Sequence, residues 1–170
     1  MNDAPTLLVV CDAGPLIHLD QLACLDLLAD FSRFVVPDVV WREVEHHRPT
    51  ALDQKVSPLE RLKPREEPSA ELFSLRRLLA LHAGEVQALQ IAQELNADLL
   101  LTDDTAARLA AKTLHVSAYG TLGILLRAVR RRQRTPDKII EVLQALPTRS
   151  TMHIKRELLG EIIRQVEELT

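Results

Sequence analysis

Two short apolar runs, each leading to aspartate, constrain the fold of this 170-residue chain more than any other feature. The first run (residues 7–11, LLVVC) is followed directly by Asp12, and the second (residues 99–101, LLL) ends one residue before the Asp103-Asp104 pair. Continuous apolar runs of this length are typical of strands buried on both faces, as the strands of parallel sheets are. The two runs therefore predict a parallel sheet.

Helical and strand-like segments alternate along the rest of the chain. Helical spacing of apolar residues predicts helices over 15–28, from 37 onward, and over 70–82, 85–95, 105–112, 121–132, 139–146 and 154–169. Further strands are predicted at 34–36 and 115–116, with a short strand at 59–62 inside an irregular loop at 48–68 and a turn at 147–150. This alternation predicts an α/β fold.

The composition limits where the chain acts and what it binds. The length and the 46% hydrophobic content suit one folded domain. No apolar run is long enough to span a bilayer, and the first residues lack the basic flank of a signal peptide, so we expect a cytoplasmic protein that binds no membrane. Cys11 and Cys24 have no zinc-site spacing, so they are expected to be buried thiols, and any metal would need oxygen ligands.

The charge balance argues against nucleic-acid binding through overall charge. The formal net charge is -3, and only 3% of the residues are aromatic, which leaves little material for stacking bases. Any contact with nucleic acid must therefore be local.

The strand-end aspartates are expected to meet at one edge of the sheet. The carboxyl ends of parallel strands share that edge, where ligands bind and the following helices begin. Crowded carboxylates raise one another's pKa values, so a cluster of three or more needs a cation to stay ionised. Mg²⁺ or Mn²⁺ fits, since both prefer carboxylate and water oxygens. Such a site suits phosphodiester hydrolysis by a metal-activated water.

Five segments, in this order, carry a resemblance to a known family. The segments are VVCDAGPLIHL, VPDVVWREV, HAGEVQALQIAQE, LLLTDDTAARLA and YGTLGILLRA, and they run from about Leu7 to Ala128. Together they resemble the PIN-domain nucleases, in particular small prokaryotic members with a D-A-G-P-L-I opening and a D-D-x-x-A-R segment. The resemblance implies a three-layer α/β/α fold with a mostly parallel sheet and Mg²⁺- or Mn²⁺-dependent cleavage of single-stranded RNA.

The same resemblance assigns the acidic residues. It implies Asp12, Glu43, Glu85 and Asp104 as the catalytic residues, with Asp104 selected by the Thr-x-Asp pattern. Asp103 ends the strand more directly, so the candidate metal ligands are Asp12, Glu85, Asp103 and Asp104. Helix capping is the alternative for Asp12, and one of the Asp103-Asp104 pair is expected to do only that. Glu43 and Glu85 have the ordinary alternatives of an exposed helix residue and a charge that complements the helix dipole.

Partners and domain limits also follow from the resemblance. Many PIN proteins are toxins whose antitoxin covers the acidic groove, so an antitoxin is a candidate partner beside single-stranded RNA. The core is expected over residues 1–128, and a C-terminal helical extension of the same domain over 129–170, which the smallest toxins lack. Leucine-rich helix faces beyond Thr121 are compatible with a homodimer.

Several other polar residues have two interpretations. Thr102 and Arg108 are candidate substrate-binding residues, although Arg108 can instead pair with the acidic cluster. The six histidines lack metal-ligand spacing and are expected to be surface or packed residues. A basic run is expected to be a solvated helix end, with phosphate contact as the alternative: Arg127, Arg130, Arg131, Arg132 and Arg134.

Two other functional classes compete with a ribonuclease. One is a PIN-fold binding or regulatory module that presents its acidic edge to a protein partner without catalysis. The other is a haloacid-dehalogenase-like phosphohydrolase or a receiver domain, both of which use a strand-end aspartate as phosphoryl acceptor. The sequence disfavours this second class, because Gly14 stands where the hydrolase needs another acid and the acid pair of a receiver is missing.

Overall fold

Five short strands form one sheet in the computed structural model, which describes residues 7–53 and 59–169. The strands are β1 (Leu8–Cys11), β2 (Arg33–Pro37), β3 (Leu59–Leu62), β4 (Leu99–Leu101) and β5 (Ala118–Tyr119). Their order is β3-β2-β1-β4-β5, and each of these pairings is parallel. β1 lies at the centre, where Val9 pairs with Phe34 on one side and Leu99 on the other. The predicted parallel sheet is confirmed.

In the described part of the chain, eight α-helices connect or follow these strands. They are α1 (Ala13–Gln21), α2 (Asp38–His47), α3 (Ala70–Leu79), α4 (Ala83–Glu94), α5 (Thr105–Thr113), α6 (Thr121–Arg130), α7 (Pro136–Arg149) and α8 (Arg156–Glu167). Two 3₁₀ helices, Leu25–Asp30 and Pro49–Leu52, follow α1 and α2 respectively. No helix within the described ranges is both long and apolar enough to cross a membrane.

The sheet is covered on both faces, because successive side chains of a strand point to opposite sides. Val9 and Cys11 of β1 pack into a core with α1, α2, α6, α7 and α8. Val10, between them, packs on the other face with α3, α4 and α5. The three-layer α/β/α arrangement is confirmed, and it explains why the strand sequences are apolar throughout.

The C-terminal helices are part of the larger core. Leu143 of α7 and Val166 of α8 are fully buried in the cluster that contains Val9. α6 runs across residue 128, where the sequence suggested a change from core to extension. The division into residues 1–128 and 129–170 stays a prediction, and residues 1–6 and 170 lie outside the described ranges.

Left-handed backbone conformations account for two differences from the predicted helices. The helix predicted over 15–28 ends at Gln21, because Ala23 has a φ of 55° and redirects the chain before the 3₁₀ helix. The helix predicted over 70–82 ends at Leu79, where Ala80 has a φ of 53°. Neither position is a glycine, so composition gave no sign of either break.

Two predicted connections also differ. The strand predicted at 115–116 is wrong, because His115 has a φ of 56° and the strand forms three residues later, at Ala118–Tyr119. The turn predicted at 147–150 is wrong as well, since Pro147 lies inside the last turn of α7. Proline has no N–H to donate to the carbonyl of Leu143, yet the helix continues to Arg149. The predicted strand at 59–62 is confirmed.

Candidate active site

A cleft of about 500 Å³ opens at the carboxyl edge of the sheet. The ends of β1 and β4 and the starts of α1, α4 and α5 border it. Five acidic residues line it: Asp12, Glu43, Glu85, Asp103 and Asp104. The structure thus brings together all the acids that the sequence singled out, although their roles as ligands stay a prediction.

Asp12 is the most buried of these acids. It follows β1 and is the N-cap of α1, where its Oδ1 accepts a hydrogen bond from the Ala13 N–H at 2.9 Å. Its Oδ2 accepts one from the Thr102 hydroxyl at 3.1 Å. Burial raises the pKa of Asp12 to about 6, these hydrogen bonds counteract the rise, and the charges of Glu85 and Glu43 add to it. Among the described residues, Asp12 therefore has no positively charged partner.

Glu43 and Glu85 approach the cleft from α2 and α4. A Cβ atom placed on Gly84 would lie 3.6 Å from Glu43 Oε2 and 3.7 Å from Asp12 Oδ1, so both oxygens border the same small space. Glu85 Oε2 accepts a hydrogen bond from the His82 N–H at 2.7 Å. Burial raises the pKa of Glu85, and the charges of Asp104 and Glu43 raise it further. Negative charge is in excess here.

Both carboxylate oxygens of Asp103 accept hydrogen bonds from neighbouring residues. Its Oδ1 accepts a hydrogen bond from the Thr121 N–H at 2.6 Å, and its Oδ2 accepts from the Thr121 hydroxyl at 2.6 Å and from His18 Nδ1 at 2.7 Å. Burial alone would raise the pKa of Asp103, but the hydrogen bonds from His18 and Thr121 outweigh it, and the pKa is lowered. A Cβ on Gly120 would lie 2.5 Å from Asp103 Oδ1, so this close packing requires glycine.

Asp104 caps α5 but keeps part of its carboxylate available. Its Oδ1 accepts a hydrogen bond from the Ala107 N–H at 2.8 Å, and its side chain is exposed. Within the described ranges, its Oδ2 has no hydrogen-bond donor. Of the two acids that the sequence left open, Asp104 therefore has the free oxygen, while Asp103 is occupied by protein donors.

The two candidate substrate-binding residues have different surroundings. Thr102 is only 1% exposed, and its hydroxyl donates to Asp12 and accepts from the Asp104 N–H at 3.3 Å. This hydroxyl orients the Asp12 carboxylate, holds the backbone of Asp104, and is shielded from a substrate. Arg108 is exposed, has no ion pair among the residues that the structure describes, and lines a neighbouring hollow.

His18 and Thr121 were not identified from the sequence as part of this site. His18 fits the expectation of a packed residue, since its side chain is 14% exposed, but its partner is Asp103. Thr121 begins α6 directly after β5, and β5 neighbours β4 in the sheet. Placing Thr121 at this edge from the sequence would have required locating β5 correctly.

Arginines at and after the end of α6 form ion pairs within the fold. Arg127 and Arg131 pair with Asp30 at 2.5 Å and 2.6 Å, and Arg134 pairs with Asp26. Both aspartates belong to the 3₁₀ helix after α1. These contacts replace the expected solvated helix end for three of the five arginines.

The five acids of the cleft offer carboxylate oxygens, the ligands that Mg²⁺ and Mn²⁺ prefer. Among the described residues, no three His, Cys, Asp or Glu side chains are arranged as a complete ligand set for one ion. Mg²⁺ commonly takes only one or two carboxylates and keeps several waters, so an incomplete set is compatible with it. Burial, and then the charges of neighbouring acids, raise the pKa values of Asp12 and Glu85, and a bound cation would oppose both effects. The donor chemistry therefore fits a divalent cation.

Comparison with known sequences agrees with this geometry. A family model described as PIN domain matches residues 8–168. No curated protein matches the chain significantly. PIN domains are generally nucleases that use divalent metal ions. Because the match extends from β1 to the end of α8 and covers far more than half of the sequence, the chain belongs to the PIN-domain family.

Proposed function

We propose that this protein is a Mg²⁺- or Mn²⁺-dependent endoribonuclease that hydrolyses single-stranded RNA. The observation that carries the proposal is the buried, uncompensated charge of Asp12, beside Glu43 and Glu85 in an open cleft. A buried carboxylate without a cation destabilises the fold, so its presence favours a role in binding one. Membership of a family of nucleases supports the same reaction.

Asp12, Glu85 and Asp104 are the proposed metal ligands, with Glu43 completing the catalytic set. A bound divalent cation would supply a polarised water and would neutralise charge on the scissile phosphate. Glu43 is exposed at the cleft and can accept a proton from the attacking water. Thr102 fixes the orientation of Asp12, and Asp103 is a positioning residue that ties β4 to α6 through Thr121.

In this reaction a water oxygen forms a bond to phosphorus, the bond to the leaving ribose oxygen breaks, and that oxygen gains a proton. The ribose 2′-hydroxyl takes no part as a nucleophile. The products are therefore expected to carry no 2′,3′-cyclic phosphate, which mass spectrometry of the cleaved RNA measures. A cyclic phosphate product would contradict the water mechanism.

Cleavage assays with two aspartate variants test the proposal. Asp12→Asn keeps the size of the side chain and removes its charge, and it is expected to abolish Mn²⁺-dependent cleavage of a fluorescent single-stranded RNA. Asp137→Asn removes an exposed aspartate from the first turn of α7, far along the chain from the cleft, and serves as the matched control. Equal rates for the wild type and Asp12→Asn would overturn the proposal.

A toxin of a toxin–antitoxin pair is a finer form of this function. It is supported by the resemblance to small prokaryotic PIN proteins, while the helices after residue 129 distinguish the chain from the smallest toxins. Induced expression is then expected to arrest growth, and co-expression of a small neighbouring gene is expected to restore it. Growth that continues during active RNA cleavage would exclude the toxin role and keep the nuclease.

A binding module without catalysis is the alternative. The incomplete set of metal ligands among the described residues favours it. In that case the acidic edge binds a protein partner, and calorimetric titration with Mn²⁺ shows no binding. Mn²⁺ binding that disappears in Asp12→Asn would favour the nuclease instead.

A further inference from the structure

A second hollow, of about 730 Å³, lies beside the acidic cleft, between α5 and the segment that leads into β5. One of its lining residues is a direct chain neighbour of a cleft residue, and another lies beside a glycine that packs against one. Thr105 follows Asp104, and Tyr119 precedes Gly120, whose backbone packs against Asp103. Consecutive Cα atoms are about 3.8 Å apart, so at Thr105 the hollow begins one residue away from the cleft.

The charge of the hollow is opposite to that of the cleft. Arg108 and Lys112 line it, both are exposed, and no acidic residue is among its lining residues. Neither cation has an ion pair within residues 7–53 and 59–169. They stand at i and i+4 on α5, where like charges repel and slightly destabilise a helix. Two cations without acidic partners in the described ranges therefore lie together beside the acidic cleft. This arrangement suits a polyanion that occupies the hollow and the cleft at the same time.

The hollow also contains an exposed aromatic ring. Tyr119 is the only tyrosine of the chain and is 48% exposed. A Cβ on Gly123 of α6 would lie 3.2 Å from Tyr119 Cβ and 3.5 Å from its Cγ, so the missing side chain makes room for Tyr119. Glycine inside a helix is less favourable than alanine by about 1 kcal/mol, and this contact accounts for it. Leu109, 50% exposed, adds an apolar surface to the same hollow.

We propose that this hollow binds the part of a single-stranded RNA that flanks the scissile phosphate, with a base stacked on Tyr119 and backbone phosphates at Arg108 and Lys112. The inference rests on the proposed ribonuclease function of the adjacent cleft. It identifies a local positive surface for RNA, which a protein with a net charge of -3 needs in order to bind a polyanion. Stacking on an aromatic ring accepts any base, so the contact adds affinity without strong sequence preference.

Equilibrium binding tests this assignment separately from catalysis. Fluorescence anisotropy with a labelled uridine oligonucleotide, in EDTA, measures binding without cleavage. Tyr119→Ala is expected to raise Kd by about 5- to 150-fold, the range for one base stacked on an aromatic side chain. Tyr119→Phe keeps the ring and is expected to bind like the wild type. Thermal melts followed by circular dichroism show whether each variant is folded.

Charge variants provide the second measurement. Arg108→Gln and Lys112→Gln are each expected to reduce the slope of log Kd against log salt by about 0.7, the value for one phosphate contact of a single strand. Arg130→Gln removes an exposed arginine of α6 that has no ion pair in the described part of the chain, and it is expected to leave the slope unchanged.

The outcomes separate the two proposals. RNA binding that depends on Tyr119 and Arg108 in a protein without cleavage activity would overturn the nuclease function and keep the binding site. Cleavage with unchanged Kd and KM in Tyr119→Ala and Arg108→Gln would overturn the binding site and keep the nuclease. If Tyr119→Ala and Arg108→Gln lose binding to an acidic protein partner but still bind RNA like the wild type, the RNA-binding proposal would also be overturned, and the hollow would be assigned to that partner.

Discussion

Asp12 and Asp38 occupy corresponding places in the fold but have opposite surroundings. Asp12 follows β1 and Asp38 follows β2, so both stand where a helix begins at the carboxyl edge of the sheet. Both are buried, with exposures of 9% and 4%. Asp38 forms ion pairs with Arg42 and Arg61, which reach it from α2 and β3. Asp12 has a threonine hydroxyl, a backbone N–H and two acidic neighbours.

Because their surroundings differ, the pKa of Asp38 is lowered and that of Asp12 is raised. The hydrogen bond from Arg42 lowers the pKa of Asp38, burial opposes this, and Arg61 lowers the pKa further. Burial raises the pKa of Asp12 to about 6. A buried carboxylate with arginine partners has its charge compensated by the protein itself, whereas one without them favours binding of a cation. Burial of an acid therefore does not by itself indicate function. The charge of the neighbouring side chains decides whether the buried acid favours a bound cation.

Activity gives the largest expected difference between the two aspartates. Asp12→Asn is expected to lower the rate of Mn²⁺-dependent cleavage by more than about 100-fold, since even groups one step away from a metal contribute about 10- to 100-fold. Asp38→Asn keeps the cleft carboxylates and is expected to cleave at the wild-type rate well below its melting temperature. Initial rates on a fluorescent RNA measure both, and similar losses in the two variants would remove the distinction.

Stability is expected to change in opposite directions. At pH 8 without metal, Asp12→Asn should raise the free energy of unfolding by up to about 3 kcal/mol, given about 1.4 kcal/mol for each unit of a shift from 3.8 to about 6. Asp38→Asn should lower it, because two arginines lose a charged partner. Urea denaturation measures both. A destabilised Asp12→Asn protein would mean that the Asp12 charge is compensated.

The pH dependence sharpens the same comparison. The folded-state pKa of Asp12 is raised, so its stabilising contribution is complete below pH 3.8 and is lost as the pH rises through about 6. The stability gained by Asp12→Asn should therefore be small at pH 4 and grow up to pH 8. Asp38 has a lowered pKa, so its stabilising contribution is complete above pH 3.8, and the stability lost in Asp38→Asn should stay nearly constant between pH 4 and pH 8 and shrink only in stronger acid. Urea midpoints between pH 4 and pH 8 measure both trends.

Thr102 provides the smallest expected effect. Thr102→Val removes the hydroxyl that donates to Asp12, so the pKa of Asp12 should rise further and the carboxylate should be less well oriented. We expect a loss of about tenfold in cleavage, the lower end for a group that orients a ligand. Thr102→Ser keeps the hydroxyl and is the matched control. Full activity in Thr102→Val would show that Asp12 does not need the hydrogen bond from the Thr102 hydroxyl.

The sequence predicted the edge of the sheet but not the partners of its acids. The apolar runs before Asp12 and Asp103 predicted buried parallel strands, and parallel strands bring their ends together whatever their separation in sequence. Arg42 lies four residues after Asp38, a spacing visible in the sequence. Arg61 reaches Asp38 only because β2 and β3 pair in parallel with Val36 opposite Arg61, and sequence patterns do not specify register.

Within the site, the limits of prediction have a similar cause. The sequence could not choose between Asp103 and Asp104, since the choice depends on donors from His18 and Thr121 that come from other elements. Thr121 was out of reach because β5 was placed three residues too early, at the left-handed residue His115. Local propensity does not report such contacts, which arise only when the sheet forms.

The burial of α7 and α8 in the core that contains Val9 also orders events during synthesis. A growing chain has every carboxylate of the cleft once Asp104 has been added, and it has Thr121 soon afterwards. Val166, which is fully buried against the same core, arrives more than forty residues later. Until then one face of the sheet stays partly uncovered. We expect the nascent chain to need chaperone protection over this interval, and the cleft to reach its final geometry only when α8 docks.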